Sequence, residues 1–261
     1  MHEPRFEQIL GVRFFNGSGT DALEFISRNG GYTVVPAAPA LANIDRDQDY
    51  RRALVESDLA IADSGFMVLL WRILHRRKVV RTSGLRYLQL LLDRREIREP
   101  GRLFLVLPSE MARTKALKLL CSGGYEIAAA NTYVAPIYGC DVADHQMVSI
   151  LNASQPPHVI IGIGGGVQEK LGFYLRENLA YRPAVHCIGA ALGFLTGDQK
   201  PIPGWADRFY LGWFLRLIRQ PKLFAKRFLR AFELPWLILK YGEKLPPLKR
   251  GRRSKVGVSD Q

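Results

Sequence analysis

Five short, mostly apolar runs punctuate the first three-quarters of the chain, at residues 32–35, 59–62, 103–107, 159–163 and 185–188. A strand with one wet face alternates apolar and polar positions, whereas a strand buried on both faces reads as a continuous apolar run. Small or turn-forming residues follow these runs, and longer stretches with helical spacing lie between them. Residues 48–57 form one such stretch. Residues 65–74 form another, in which Phe66, Leu69, Leu70 and Ile73 fall on one helical face. Residues 111–121 follow Pro108 and Ser109, and residues 168–178 follow a cluster of glycines. Strand, turn and helix repeated in this way predict a Rossmann-like α/β fold, a parallel sheet with helices on both faces.

The pattern changes after Gly197. Residues 198–205 hold Pro201, Pro203 and Gly204 and read as a linker, which divides the chain into an α/β core over 1–204 and a basic, aromatic-rich helical appendage over 205–261. Pro221 and Pro235 should break the appendage into short helices. Phe224, Phe228 and Phe232 repeat every four residues beside Lys222, Lys226 and Arg230, which sets an apolar face next to a cationic one. From residue 246 onward the tail is polar and basic and is expected to be disordered.

Charge sharpens this division. The net charge is +13, yet residues 205–255 alone hold fourteen Lys and Arg against Asp207, Glu233 and Glu243, so the remainder is close to neutral. A cationic surface of this kind seeks phosphate, in lipid headgroups, nucleotides or nucleic acid. No nucleic-acid-binding module is recognisable, which disfavours the last. Cys121, Cys140 and Cys187 have no paired spacing and the first eight residues show no leader pattern, both pointing to a reducing cytosol. No apolar run reaches the ~18 residues of a spanning helix. The five histidines lack metal-ligand spacing and read as surface or core residues.

Three constellations could carry chemistry. In Ser57-Asp58-Leu59-Ala60-Ile61-Ala62-Asp63-Ser64-Gly65, Asp63 stands between a strand and a helix. Ligands of open α/β sheets bind at such strand ends, and a carboxylate there can take a proton from a hydroxyl. Capping the following helix is the competing role for Asp63, and Ser64 competes for it. In Gly162-Ile163-Gly164-Gly165-Gly166-Val167-Gln168-Glu169-Lys170, the glycines could let backbone approach a phosphate at a helix N-terminus. A tight turn with no ligand explains them equally well. The appendage sets Arg208, Arg216, Arg219, Lys222, Lys226, Arg227 and Arg230 among nine aromatic residues between 209 and 241. That is too many aromatics for a purely solvated face, and the arginines suit either a leaving diphosphate or anionic lipid.

Taken together and in order, from about Val34 to Arg227, these segments resemble the WecG/TagA/CpsF family of bacterial glycosyltransferases. The family's "sDl.iaDG.g" is met by residues 57–66, with Ser64 inserted between Asp63 and Gly65. Its "R..G" is met by Arg81-Thr82-Ser83-Gly84, and its "vGlG.PkQE" by residues 161–169. Residues 197–205 and 212–221 follow its "G..kRaP.w" and "EW.yRl..eP".

The resemblance implies inverting transfer from a UDP-sugar donor to a polyprenyl-diphosphate-linked acceptor in cell-surface polysaccharide synthesis, with no metal or other cofactor. It implies a cytoplasmic protein peripheral to the anionic inner face of the plasma membrane. Asp63 would then be the catalytic base. Arg81, Gly164, Gly165, Gln168 and Glu169 would line the donor pocket, and Arg216 and Arg227 would hold the diphosphate. This sequence departs from the family at Pro36-Ala37-Ala38-Pro39, where Thr and Asn are usual, and at Pro201, Gly212 and Leu223. The competing class is a non-catalytic membrane- or partner-binding protein on the same fold. Sugar identity and self-association stay open.

Overall fold

The computed structural model describes residues 4–139, 141–189, 191–195 and 231–249. Its centre is an eight-stranded sheet. The strands are β1 (Phe6–Ile9), β2 (Val12–Phe15), β3 (Gly31–Val34), β4 (Leu59–Ala60), β5 (Leu103–Leu107), β6 (Thr132–Val134), β7 (His158–Ile161) and β8 (Ala184–Cys187), in the order β1-β2-β4-β3-β8-β7-β5-β6. All neighbours run parallel except the β1–β2 hairpin at one edge. The five apolar runs are β3, β4, β5, β7 and β8, and every residue of these strands is buried.

Burial on both faces follows from the helices. Tyr32, Val34, Phe104, Val106, Val159, Ile161, Val185 and Cys187 point into one core with α2 (Ala38–Leu41), α3 (Gln48–Val55), α4 (Gly65–His75), α7 (His145–Ser154) and α8 (Val167–Asn178). Leu103, Leu105, Leu107, Ile160 and Ala184 point into the other, against α1 (Gly19–Asn29), α5 (Gly84–Leu92), α6 (Glu110–Ser122) and α9 (Ala191–Leu195). Successive strand residues alternate between two dry cores, so no polar alternation is required of them.

The appendage expectation differs from what is seen over residues 231–249. There α10 (Leu234–Tyr241) buries Leu234, Leu237 and Ile238 completely in the same core as α4 and α8. Pro235 sits in its first turn, where a missing N–H costs nothing. Beyond α10 the backbone closes on the β1–β2 turn, the Leu10 and Gly11 amides donating to the carbonyls of Gly242 and Glu243 at 2.8 and 2.9 Å. A Cβ on Gly11 would stand 2.7 Å from Leu245, so this contact needs glycine. The tail expected to be disordered from residue 246 is placed as far as Lys249. Lys249 donates its amide to the Asp45 carbonyl and pairs Nζ with the buried Asp45 carboxylate at 2.6 Å. Its lysines masked a helical apolar stripe that belongs to the core. Residues 205–230 and 250–261 lie outside the described residues.

Candidate active site

All parallel strands deliver their carboxyl ends to one rim, and both candidate motifs of the core stand on it. After β4 the chain runs through Ile61 and Ala62 to the half-buried Asp63. The helix that follows is capped by Ser64, whose Oγ accepts from the Met67 amide at 3.2 Å. Asp63 is therefore not the cap of α4. Its Oδ1 instead accepts from the Gly84 amide, the first residue of α5, at 2.9 Å. Its carbonyl accepts from Arg81 Nε at 2.7 Å, and the Thr82 amide reaches the Ala62 carbonyl at 3.2 Å. Residues 81–84 thus fold back on the end of β4 and fix Asp63 in orientation. Gly84 in turn lies against the ends of β3 and β8, since a Cβ there would meet Val35 and the Ile188 carbonyl at 3.5 Å.

Arg81 also lines a cavity of about 280 Å³ with Ser18, Thr20, Thr82, Ser83 and Arg86, between the N-termini of α1 and α5. Of this lining only the Arg81–Ser83 segment stood out in the sequence, because α1 and α5 were not legible as elements.

The glycine cluster follows β7. Gly164 and Gly166 have φ of 112° and 99°, which favour glycine, and a Cβ on either would meet nothing within 4 Å. The turn surface is open backbone at the head of α8, a helix of 12 residues. Gln168 and Glu169 sit beneath it rather than on it, 1% and 0% exposed. Gln168 Nε2 donates to the Cys187 carbonyl and to Glu169 Oε1, both at 3.2 Å, and its Oε1 is buried with no partner among the described residues. Glu169 Oε2 accepts from the Gly166 amide at 2.6 Å. Burial pushes the Glu169 carboxyl up to about 7, against the opposing pull of the N–H groups and of Lys170.

On this rim Asp63 and the glycine turn are three strand positions apart, β4-β3-β8-β7, or about 14 Å at the usual inter-strand spacing. Between them, β3 ends in Val35-Pro36-Ala37-Ala38, which offers no side-chain hydrogen bonds. Arg216 and Arg227 lie outside the described residues. Among the described residues, no group of three His, Cys, Asp or Glu is placed to hold a metal ion, and no helix is long and apolar enough to cross a membrane.

Below the rim a buried polar chain links α5 to the sheet. Tyr87 Oη meets His186 Nδ1 at 2.9 Å, and His186 Nε2 meets His158 Nδ1 at 3.1 Å with the two rings stacked. Burial lowers His158 to about 4 and holds His186 well below the ordinary range.

A family model for the glycosyl transferase WecG/TagA/CpsF family matches residues 7–247, from the first strand to the segment beyond α10. The chain belongs to that family. No curated protein matches it. As a WecG/TagA/CpsF member it is a glycosyltransferase of a family associated with cell-surface polysaccharide synthesis. The matched region includes the docked segment 231–247, so α10 falls within the family's own unit.

Proposed function

We propose that this glycosyltransferase moves a sugar from a UDP-sugar to a polyprenyl-diphosphate-linked acceptor, with inversion and without a metal, at the inner face of the plasma membrane. The observation that carries the reading is the division of one rim into two halves. A fixed carboxylate stands about 14 Å from an open glycine turn at a helix N-terminus, which suits a nucleotide sugar lying between them.

In this reading the donor diphosphate rests on the backbone of Gly164–Gly166, where helix N–H dipoles favour anions. Asp63 takes the proton of the acceptor hydroxyl as its oxygen bonds to the anomeric carbon. The bond from that carbon to UDP breaks on the opposite face, and UDP departs with the electron pair. Arg81, held against the Asp63 carbonyl, brings a cation to the same point. By the family resemblance Arg216 and Arg227 stabilise the leaving diphosphate. The Pro36–Ala38 segment leaves sugar hydroxyls to be read by other groups, so donor identity does not carry over from the family pattern.

Membrane placement is supported by a surface outside the rim. The packed helices α4 and α10 expose Leu69, Ile73 and Leu74, and Trp236 and Leu239, respectively. Arg72, Arg76 and Lys240 are exposed on the same helices, and Lys240 Nζ lies 4.6 Å from the Trp236 ring centre. Apolar and aromatic side chains flanked by cations suit an anionic interface.

The test is UDP release by purified protein given a panel of UDP-sugars and polyprenyl-linked acceptors. Asp63→Asn, which keeps size and the bond to Gly84, should lower turnover by about 10² or more. Wild-type turnover in that variant would remove Asp63 as base. Absence of release with every pair would favour the non-catalytic alternative.

A further inference from the structure

Glu169 is the most deeply buried carboxylate on the rim, and it is placed directly beneath the turn that the proposed function gives to the donor. Its Oε2 holds the Gly166 amide at 2.6 Å, and its Oε1 lies 3.9 Å from where a Cβ on Gly165 would stand. A phosphate hydrogen-bonded to the open face of that turn would have its charge roughly 7 Å from the carboxylate, with only the peptide plane between them. We propose that Glu169 takes up a proton when the donor diphosphate settles on the Gly164–Gly166 turn, so that nucleotide binding and the charge of this one carboxylate are linked.

The groups around Glu169 leave it free to answer the ligand. On α8 its one adjacent cation is Lys170, and that ammonium is engaged by Asp47 at 2.8 Å. From α3 it is faced by Asp47 and by the buried Tyr50, whose phenol burial keeps protonated, while Asp49 and Arg52 are exposed and Arg51 reaches the Pro246 carbonyl. From β8 it is faced by Cys187, a thiol that burial also keeps protonated and that hydrogen-bonds the Gln168 carbonyl at 3.3 Å. On β3, Tyr32 packs against Gly172 of the same helix, gives its hydroxyl to the Ala53 carbonyl and is likewise kept protonated by burial. Among the described residues, beyond Lys170, the ionic group that changes on binding is the ligand itself. Two like charges at about 7 Å in a partly buried site raise the proton affinity of the carboxylate by roughly ten- to fifty-fold, the lower end applying where solvent screens the mouth. The group already sits near neutrality when free, so the change falls where it can be read. Glu169 is thereby a positioning residue: it holds the turn through Gly166 and sheds its charge when an anion arrives.

The inference rests on the donor lying on this turn, and the measurement separates the two. UDP is titrated calorimetrically into the full-length protein at pH 8 in Tris and in HEPES, whose ionisation enthalpies differ. At that pH the terminal phosphate of UDP is already ionised. Wild-type protein should take up about half a proton or more per UDP bound at pH 8; at pH 6, where Glu169 is already protonated and the terminal phosphate of UDP itself exchanges protons, it should differ little from the variant. Glu169→Gln, whose amide carbonyl still accepts from Gly166, should show almost no buffer dependence at pH 8. UDP affinity of the wild type should fall about ten-fold or more between pH 6.5 and 9 beyond what the variant shows. Binding without buffer dependence in the wild type overturns the proposal, as does wild-type proton uptake in Glu169→Gln. If the variant fails to fold, the wild type decides it alone in the range where UDP stays ionised: the uptake at pH 8 should shrink toward zero by pH 10, where neither free nor bound protein holds the proton, and uptake that persists there overturns the proposal. UDP that binds without protecting amides 164–166 from hydrogen exchange defeats the donor placement itself, and this inference with it.

Discussion

Glu169→Gln should stabilise the protein increasingly as pH rises, and the size of the effect can be worked out from the fold. The carboxyl is completely buried and moves from an ordinary 4.5 to about 7. In the unfolded chain the proton leaves near 4.5, whereas in the folded protein it stays until about 7. Across that window the folded state binds more protons, so stability falls as pH rises, and above 7 the loss is complete. At about 1.4 kcal/mol per pH step, the full cost is about 3 kcal/mol, of which about 2.5 kcal/mol accumulates between pH 5 and 8. Glutamine carries no charge at any pH and keeps a carbonyl for the Gly166 amide. With its carbonyl on the Gly166 amide it presents a second donor to Gln168 Nε2, and losing that hydrogen bond costs about 1 kcal/mol at every pH. The variant should therefore be about equal to the wild type at pH 5 and the stronger protein by about 2 kcal/mol at pH 8.

The histidine pair acts in the opposite direction and must be separated from this. His158 is held at about 4 when folded and returns to its ordinary 6.5 when unfolded. Its contribution is complete above 6.5 and is lost as pH falls toward 4, about 3 kcal/mol in all. His186 shifts in the same direction. In the wild type the opposing slopes overlap between about 4.5 and 6.5, and the decline from Glu169 alone remains from 6.5 to 7. Urea midpoints measured at half-unit steps from pH 5 to 8 isolate the carboxyl as the difference between variant and wild type, because the histidines cancel. A difference that stays constant across that range would refute the argument that this carboxylate is buried and uncompensated.

Two further outcomes are expected. Leu237→Ala should destabilise the protein by about 2–5 kcal/mol in urea unfolding, because the side chain is wholly buried between α10 and the core; an effect below ~1 kcal/mol would mean that α10 is a detachable appendage. Ile73→Asp combined with Leu239→Asp should weaken sedimentation with anionic vesicles and leave UDP affinity unchanged, whereas raising salt on the wild type should remove only the cationic part of the binding; unaltered sedimentation would place the membrane contact elsewhere.

The central strands were legible because burial on both faces leaves an unbroken apolar run, as in Leu103–Leu107. β1, β2 and β6 were not, being strands of only three or four residues at the two sides of the sheet, too short and too partly exposed to leave an unbroken apolar run. α5 escaped notice although Tyr87, Leu88, Leu91 and Leu92 are buried, because its nine residues lie between arginine-rich flanks with no proline or glycine stop. Asp63 and the glycine turn were found as motifs, since strand ends and φ-demanding glycines leave local marks. The burial of Gln168 and Glu169 left none. Two polar residues at a helix start read as ligands or caps until the Cys187 carbonyl and the Gly166 amide are seen to hold them. The aromatic richness around α10 pointed to partial docking, yet it is Leu234, Leu237 and Ile238 that enter the core, while Phe232 and Trp236 stay exposed.

The two halves of the rim are braced through one strand. Asp63 holds the first amide of α5, and α5 carries Tyr87 to His186 on β8. The next residue of β8, Cys187, gives its carbonyl to Gln168, which donates to Glu169, which holds Gly166 in the turn. Every side chain in that series after Asp63 is buried. In the proposed function, Asp63 and the glycine turn, about 14 Å apart, would gain little from proximity if either could drift, since a misplacement of about 1 Å can cost two orders of magnitude in rate. Polar groups buried in this way are costly unless they are paired. The series also continues from His186 to His158, the first residue of β7, so the pairing that braces the rim runs through the sheet to its opposite end. Positional accuracy comes from the strand framework, and the open surface left to the substrates is mostly backbone.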